Sequence, residues 1–318
     1  MNVPKIVVLF TSYRCNARCV MCYAWHKQDA YQELSVQDIK RIFSDKLLSA
    51  SVEIVNLTGG EPTLRHELVD IIDTLVTTCV HLKRIDISTN GINTEQVVDK
   101  VEQALALLLP HKVNLSVCVS VDGVGEVHDS VRGTQGAFVR IDRTIDELKD
   151  LLRLYPTFGL GLNLTISKKN YLHLRKAFEY SVHKSLGMSF TLAALSEIGV
   201  ESIQVRDNFE LPVESKEGVV AFIEFLLVEN KIHADYARFL LQWLKVGKRQ
   251  GPCAFRKGES LLCEPNGSMY LCGNFREFLL GNVLKEDFNA LFRQRKDFSH
   301  DYAKRCAQCN SNCYIDYG

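Results

Sequence analysis

The chain of 318 residues predicts an α/β fold, a partial (β/α)6 TIM-like barrel followed by a small cysteine-rich domain toward the C-terminal end. Three observations carry this expectation. Short apolar runs alternate with helical patterns from Lys5 to about Leu195, the pattern of a parallel sheet with crossover helices. The strand runs are nearly all apolar, as in strands covered on both faces, with the run ending at Val121 the longest. Nine of the eleven cysteines fall into two groups, one near each end of the chain.

Strands are expected at Lys5 to Phe10, Val52 to Asn56, Arg84 to Ser88, Val113 to Val121, Phe158 to Ile166 and Met188 to Ala194. Between them, apolar residues at helical spacing mark Val36 to Leu48, His66 to Thr77, Glu95 to Leu109, Val139 to Leu152 and Tyr171 to Lys184. Six such units are fewer than the eight of a closed barrel, so the barrel is open or partial. Beyond it, Val219 to Asn230 and Ala234 to Lys245 predict amphipathic helices that carry Phe222, Phe225, Phe239, Leu240 and Trp243 into packing. Glu197 to Lys216 has few regular signals and suits a substrate-facing loop. Asn266-Gly267, flanked by Leu261 to Glu264 and Ser268 to Leu271, predicts a hairpin that delivers Cys272. The expected division is 1–200 for the barrel core, 201–250 for a helical connector and 251–318 for the cysteine-rich domain.

Composition narrows the function. With 46% hydrophobic residues the chain can bury a large core, and 38 basic residues balance 38 acidic ones at a pI near 7.1. Neutrality and the lack of basic–aromatic clusters argue against nucleic acid or an anionic membrane as partner. The apolar run before Thr11 and Ser12 is too short for a signal sequence or a membrane span, which places the protein in the cytoplasm. In a reducing compartment, grouped cysteines in odd number favour metal over disulfides.

Cys15, Cys19 and Cys22 form a C-x-x-x-C-x-x-C run just behind the first strand. A structural zinc site closes its shell with four ligands, whereas three thiolates leave a coordination position open; on a cubane iron–sulfur cluster they leave one iron open. A zinc knuckle completed by a distant ligand remains the alternative. At successive strand ends stand Gly59-Gly60-Glu61-Pro62, Ser88-Thr89-Asn90-Gly91 and Ser120-Val121-Asp122-Gly123. Each alone is an ordinary turn; together they mark the end of the sheet where chemistry gathers in such folds.

The cysteine run and the strand-end series together resemble the radical S-adenosylmethionine (SAM) superfamily. That resemblance implies a [4Fe-4S] cluster on Cys15, Cys19 and Cys22 whose open iron is chelated by SAM. Gly59, Gly60, Glu61 and Pro62 match the family's GGEP motif, with the glycines admitting backbone close to the ligand and Glu61 facing the SAM ammonium. Ser88, Asn90, Ser120 and Asp122 match its contacts to the SAM carboxylate and ribose. Arg132 is expected to pair with the SAM carboxylate, unless it forms a surface salt bridge, and Asn163 is a further candidate contact. Met21 and Tyr23 are expected near the adenine, or else in ordinary packing around the cluster.

From Cys253 onward the layout resembles the SPASM and twitch extensions of that superfamily. The match assigns Cys253, Cys272, Cys306 and Cys309 to one auxiliary [4Fe-4S] cluster, with a zinc ribbon as the alternative; the chain ends five residues after Cys313, which favours a single cluster. Cys313 is an alternative ligand. Cys263 is a core residue, an extra ligand or a hydrogen donor, while Cys79 and Cys118 are expected to be inert. The activity implied is one-electron cleavage of SAM to a 5′-deoxyadenosyl radical that removes a hydrogen atom from a peptide or protein side chain, ending in a cross-link, an epimerisation or an oxidation. The start of the chain close to the cluster strand leaves no room for a peptide-recognition domain, which counts toward the alternative of a small-molecule dehydrogenase or epimerase acting on an aminocyclitol or sugar. An electron donor such as flavodoxin or ferredoxin is the implied partner. A non-catalytic zinc-binding module is the remaining reading.

Overall fold

Six parallel strands build the barrel wall: β1 (Ile6–Ser12), β2 (Ile54–Gly59), β3 (Arg84–Thr89), β4 (Asn114–Ser120), β5 (Phe158–Ile166) and β6 (Met188–Leu192). The computed structural model describes residues 3–22, 24–27, 33–193, 211–229, 231–232, 234–248, 253–293, 306–307 and 309. Each expected barrel strand is present within about three residues of its expected bounds. Their sequential parallel pairing is the wall of a partial barrel.

The two faces of this sheet differ, contrary to the expectation of strands apolar on both sides. Val7, Leu9, Val55, Leu57, Ile85, Ile87, Leu115 and Val117 point outward into one buried core with helix residues such as Ile71, Val97 and Ile145. On the inner face, Asn56, Asp86 and Ser116 align in one cross-strand row, and Ser120 aligns with Asn163 and Ser189 in another. Asn56, Asp86, Ser116, Ser120 and Asn163 are half-buried. Strand alternation therefore gives this barrel a dry outside and a polar interior.

The helices are α1 (Val36–Phe43), α2 (Lys46–Ser51), α3 (Leu68–Thr78), α4 (Thr94–Leu108), α5 (Glu126–Arg132), α6 (Ala137–Leu154) and α7 (Leu174–Lys184). The single helix expected over Val36 to Leu48 is two, because Asp45 starts a new one: its Oδ1 accepts the N–H of Leu47 at 2.8 Å and of Leu48 at 3.4 Å. The unexpected α5 lies between Gly125 and Gly133, both at φ 61°. Then α8 (Lys216–Val228) and α9 (Ala234–Val246) pack on the barrel end, with Phe222 edge-on to Phe190 at 5.4 Å and Tyr236 donating to the Phe190 carbonyl.

The C-terminal part contributes α10 (Ala254–Lys257), β7 (Ser260–Cys263), β8 (Ser268–Tyr270), β9 (Leu279–Asn282) and α11 (Phe288–Arg293). The hairpin expected around Asn266-Gly267 forms, with Gly267 at φ 82°. It does not stand apart from the barrel. β7 runs parallel to β1 in register from Ile6↔Ser260 to Leu9↔Cys263, giving the sheet order β6-β5-β4-β3-β2-β1-β7-β8-β9.

Candidate active site

The loop that follows β1 is held by backbone from two directions. The Gly60 N–H donates to the Ser12 carbonyl and the Glu61 N–H to the Arg14 carbonyl, both at 2.7 Å, while Arg18 and Val20 donate to the carbonyls of Arg132 and Val131 at 2.9 Å. A Cβ at Gly60 would lie 2.1 Å from the Arg14 oxygen, and one at Gly59 2.3 Å from the Ser12 oxygen. The two glycines thus admit the cysteine loop itself, where sequence reading expected them to admit a ligand.

This docking presents three thiols. Cys15 Sγ accepts the Ala17 N–H at 3.4 Å and Asn90 Nδ2 at 3.6 Å, and Cys19 Sγ accepts Arg132 Nη1 at 3.5 Å. Burial raises the Cys15 pKa and pushes that of Cys22 up to about 12, helped by the neighbouring thiols. Metal loading removes these protons, since thiolates are the ligands. Among the described residues no three His, Cys, Asp or Glu side chains come close enough to hold a single ion. A cubane takes its thiolates at separate corners, and the three donors on one loop, with N–H groups aimed at their sulfurs, fit it.

Several residues expected to face SAM are instead tied to protein. Glu61 is 1% exposed, and its carboxylate accepts four hydrogen bonds: from the N–H and Oγ1 of Thr63, from Thr89 Oγ1 and from the Asn90 N–H at 2.6 Å. Burial raises its pKa against the pull of these donors. The carboxylate expected as counter-charge to the SAM ammonium is held by these donors as a buried clasp between β2 and β3. Asn90, also expected at SAM, reaches the cysteine loop, donating to Asn16 Oδ1 at 2.7 Å as well as to Cys15. Asp122 is fully buried and pairs with Arg132 at 2.7 Å, so neither a surface salt bridge nor a free fork describes Arg132. Burial alone would lower the Arg132 pKa, but Asp122 and Cys19 raise it. Arg132 Nε is buried without a hydrogen-bond partner among the described residues, which leaves one donor for a carboxylate such as that of SAM.

Ser88, Ser120 and Asn163 lie half-buried on the inner face as the strand alternation requires, and Asn163 Oδ1 accepts Ser189 Oγ at 3.0 Å. Pro62 is buried and opens the short turn Pro62–Leu64. Met21 is half-buried against the core, and Tyr23 lies outside the described residues. Sequence reading missed His128, which is fully buried and accepts the Asp122 N–H on Nδ1 at 3.1 Å. Burial, reinforced by Arg132, lowers its pKa to about 3 and keeps it neutral. It lies four residues before Arg132 in the same short stretch, Val127 to Gly133, and that spacing was the available signal.

Toward the C-terminus Cys253, Cys272, Cys306 and Cys309 are all buried, and Cys272 lies within electrostatic reach of Cys253 and Cys309. Burial pushes Cys272 up to about 12. Asn274, unremarked in the sequence, donates its N–H to Cys272 Sγ and its Nδ2 to Cys309 Sγ, each at 3.4 Å. Cys313 lies outside the described residues. Cys263 is fully buried in the outer core with Leu9, Leu261 and Met269, whereas its strand neighbour Leu262 packs with Val8 and Cys253. That placement suits the packing reading of Cys263. The next residue, Glu264, is buried and accepts the hydroxyls of Tyr13 and of Tyr270, the latter at 3.1 Å.

Comparisons with known proteins agree with this geometry. The family model described as "Radical SAM superfamily" matches residues 9–167, half of the chain. The antilisterial bacteriocin subtilosin biosynthesis protein AlbA of Bacillus subtilis is 25% identical over 294 residues, 91% of this chain, which spans only 60% of that relative. The AdoMet-dependent heme synthase of Methanosarcina barkeri is 26% identical over 351 residues, covering 100% of this chain and 94% of the relative. Among solved structures, native anSMEcpe with bound AdoMet and the Cp18Cys peptide has the same fold, with a TM-score of 0.67 at 20% identity over 94% of this chain and 82% of that one. The chain belongs to the radical SAM superfamily, a family of enzymes that carry a [4Fe-4S] cluster and SAM.

Proposed function

We propose that this enzyme abstracts a hydrogen atom from a side chain of a peptide or protein and thereby cross-links, epimerises or oxidises it. The observation that carries this reading is the polar inner face of the barrel, where Asn56, Asp86 and Ser116 stand half-buried in one aligned row. Such a lining offers partners to the amide groups of a peptide, which no apolar wall satisfies. AlbA, a bacteriocin biosynthesis protein by name, is a relative over most of this chain.

Cys15, Cys19 and Cys22 hold the cluster, and Ser88, Ser120, Asn163 and the free Nε of Arg132 are the groups offered to SAM. When bound, the pair supplies a one-electron cleavage of SAM that ends with a hydrogen atom leaving the substrate. Gly59, Gly60 and Glu61 align the loop, and the Asp122–Arg132 pair fixes its far side. Cys253, Cys272, Cys306 and Cys309 hold one auxiliary [4Fe-4S] cluster, with Cys313 as the alternative ligand, in a unit spanning 251–318 after the core 1–200 and the connector 201–250. It packs through Cys253 against Val8 and Leu262 on the inner side, a position suited to taking the electron left on a product radical. Electrons come from a flavodoxin or ferredoxin, and the enzyme works in the cytoplasm; no helix among the described residues is long and apolar enough to cross a membrane.

A second reading follows from the heme synthase, which this chain matches along 94% of the relative's length: a porphyrin-type substrate. One experiment separates the two. The anaerobically reconstituted enzyme is given SAM, dithionite and either short peptides encoded beside its gene or iron coproporphyrin, and 5′-deoxyadenosine and product masses are followed. The peptide reading requires a peptide that loses hydrogen, or changes stereochemistry, in step with 5′-deoxyadenosine; turnover of the porphyrin alone refutes it.

A further inference from the structure

Two of the three cluster thiols receive a side-chain N–H from outside their own loop. Asn90, at the end of β3, reaches Cys15 Sγ at 3.6 Å, and Arg132, closing α5, reaches Cys19 Sγ at 3.5 Å. Cys22 takes the backbone N–H of Ala24. Neither side-chain donor is adrift. Asn90 is buried, with Oδ1 accepting the Ile92 N–H at 2.9 Å and Nδ2 also bonded to Asn16. Arg132 is 8% exposed and held by Asp122, which itself accepts the Thr165 N–H at 2.8 Å and donates its own N–H to His128.

We infer that Asn90 and Arg132 set the reduction potential of the SAM-cleaving cluster, each through an N–H···S bond to a different ligand sulfur. Hydrogen bonds to ligand sulfurs are one of the means by which a protein moves a cluster's potential. The added electron increases the negative charge on the sulfurs, so a donor there stabilises the reduced form more than the oxidised one and raises the potential. Asp122 limits the effect. Its carboxylate, 2.7 Å from Arg132 Nη2, cancels most of the guanidinium charge, so that Arg132 acts on Cys19 mainly as a dipolar donor. The arrangement therefore has two settings of opposite sign, built from residues that hold the cluster loop without being ligands. The inference depends on the cluster common to the superfamily and is independent of which substrate is modified.

The test is an EPR-monitored redox titration of the full-length, anaerobically reconstituted enzyme without SAM. The relevant signal is the one whose shape changes when SAM is added afterwards. Asn90→Leu and Arg132→Met are expected to shift the midpoint to more negative values, Arg132→Met further. Arg132→Lys, which keeps the charge balance with Asp122 but loses the planar fork, is expected to fall between Arg132→Met and wild type. Asp122→Asn is expected to shift the midpoint the opposite way, because it leaves the Arg132 charge uncancelled beside Cys19. A purely structural role would lower iron content without producing shifts of opposite sign. Midpoints equal to wild type in Asn90→Leu and Arg132→Lys at full iron content would overturn the inference, and so would loss of this cluster from all four variants.

Discussion

Asn90 donates its backbone N–H to Glu61 Oε2 at 2.6 Å, so one buried carboxylate ties the end of β2 to the end of β3 directly beneath the cysteine loop. Glu61→Ala leaves the Thr63, Thr89 and Asn90 donors without an acceptor in a dry site. The expected loss is about 2–4 kcal/mol of unfolding free energy, together with weaker retention of the first cluster. Urea unfolding and iron content of the purified variant check both parts.

Gly60→Ala forces a methyl group to within 2.1 Å of the Arg14 carbonyl, where backbone on both sides leaves no room to yield. The cysteine loop should move while the core strands stay in place. We expect a protein with near wild-type circular dichroism that has lost about half of its iron, one of two cubanes, and no longer forms 5′-deoxyadenosine. Full iron with full SAM cleavage would contradict the role given to this contact.

The two cysteine sets should separate cleanly. Cys19→Ala is expected to abolish SAM cleavage and leave about four irons per chain. Cys272→Ala is expected to leave about four irons as well, yet to retain SAM cleavage and lose product formation. Cys263→Ala should do neither. From its place in the outer core it should cost only about 1 kcal/mol of stability, with product yield unchanged by mass spectrometry.

His128 predicts a specific acid sensitivity. Its pKa falls to about 3 in the fold, against roughly 6.5 in an unfolded chain, so below the unfolded value the unfolded state binds the extra proton and stability declines as pH falls. Between pH 7 and pH 5 this one group should withdraw roughly 2 kcal/mol, and above pH 7 it should add no further dependence. Urea midpoints of wild type and His128→Gln at the two pH values should show the smaller loss in the variant.

Much of this architecture was legible because apolar runs and their breakers are local signals. β5 carries the bounds its sequence suggests, and Cys15, Cys19 and Cys22 come together because eight consecutive positions hold them all. What was not legible depends on partners brought in by folding. Asn56, Asp86 and Ser116 each stand between apolar neighbours in their own strand, and only the register that aligns them across β2, β3 and β4 shows that they form one row. Glu61 shows its donors only when β3 lies beside β2, and Tyr13 meets Glu264 across 251 positions of sequence. The helix break at Asp45 and the short α5 rest on a few polar capping and glycine positions that apolar spacing overlooks.

The parallel pairing of β7 with β1 has a consequence for how the protein is made. β1 leads straight into Cys15, and its neighbour on that side, residues 260–263, leaves the ribosome some 250 positions later. Contacts of such sequence separation are slow to close and costly in loop entropy. During synthesis the barrel therefore has an exposed strand edge at β1, and the first cysteine loop gains its full support only when the last sheet strands dock. Iron insertion at the first cysteine site should accordingly wait for residues 260–263 to be made and docked, although its ligands are synthesised first.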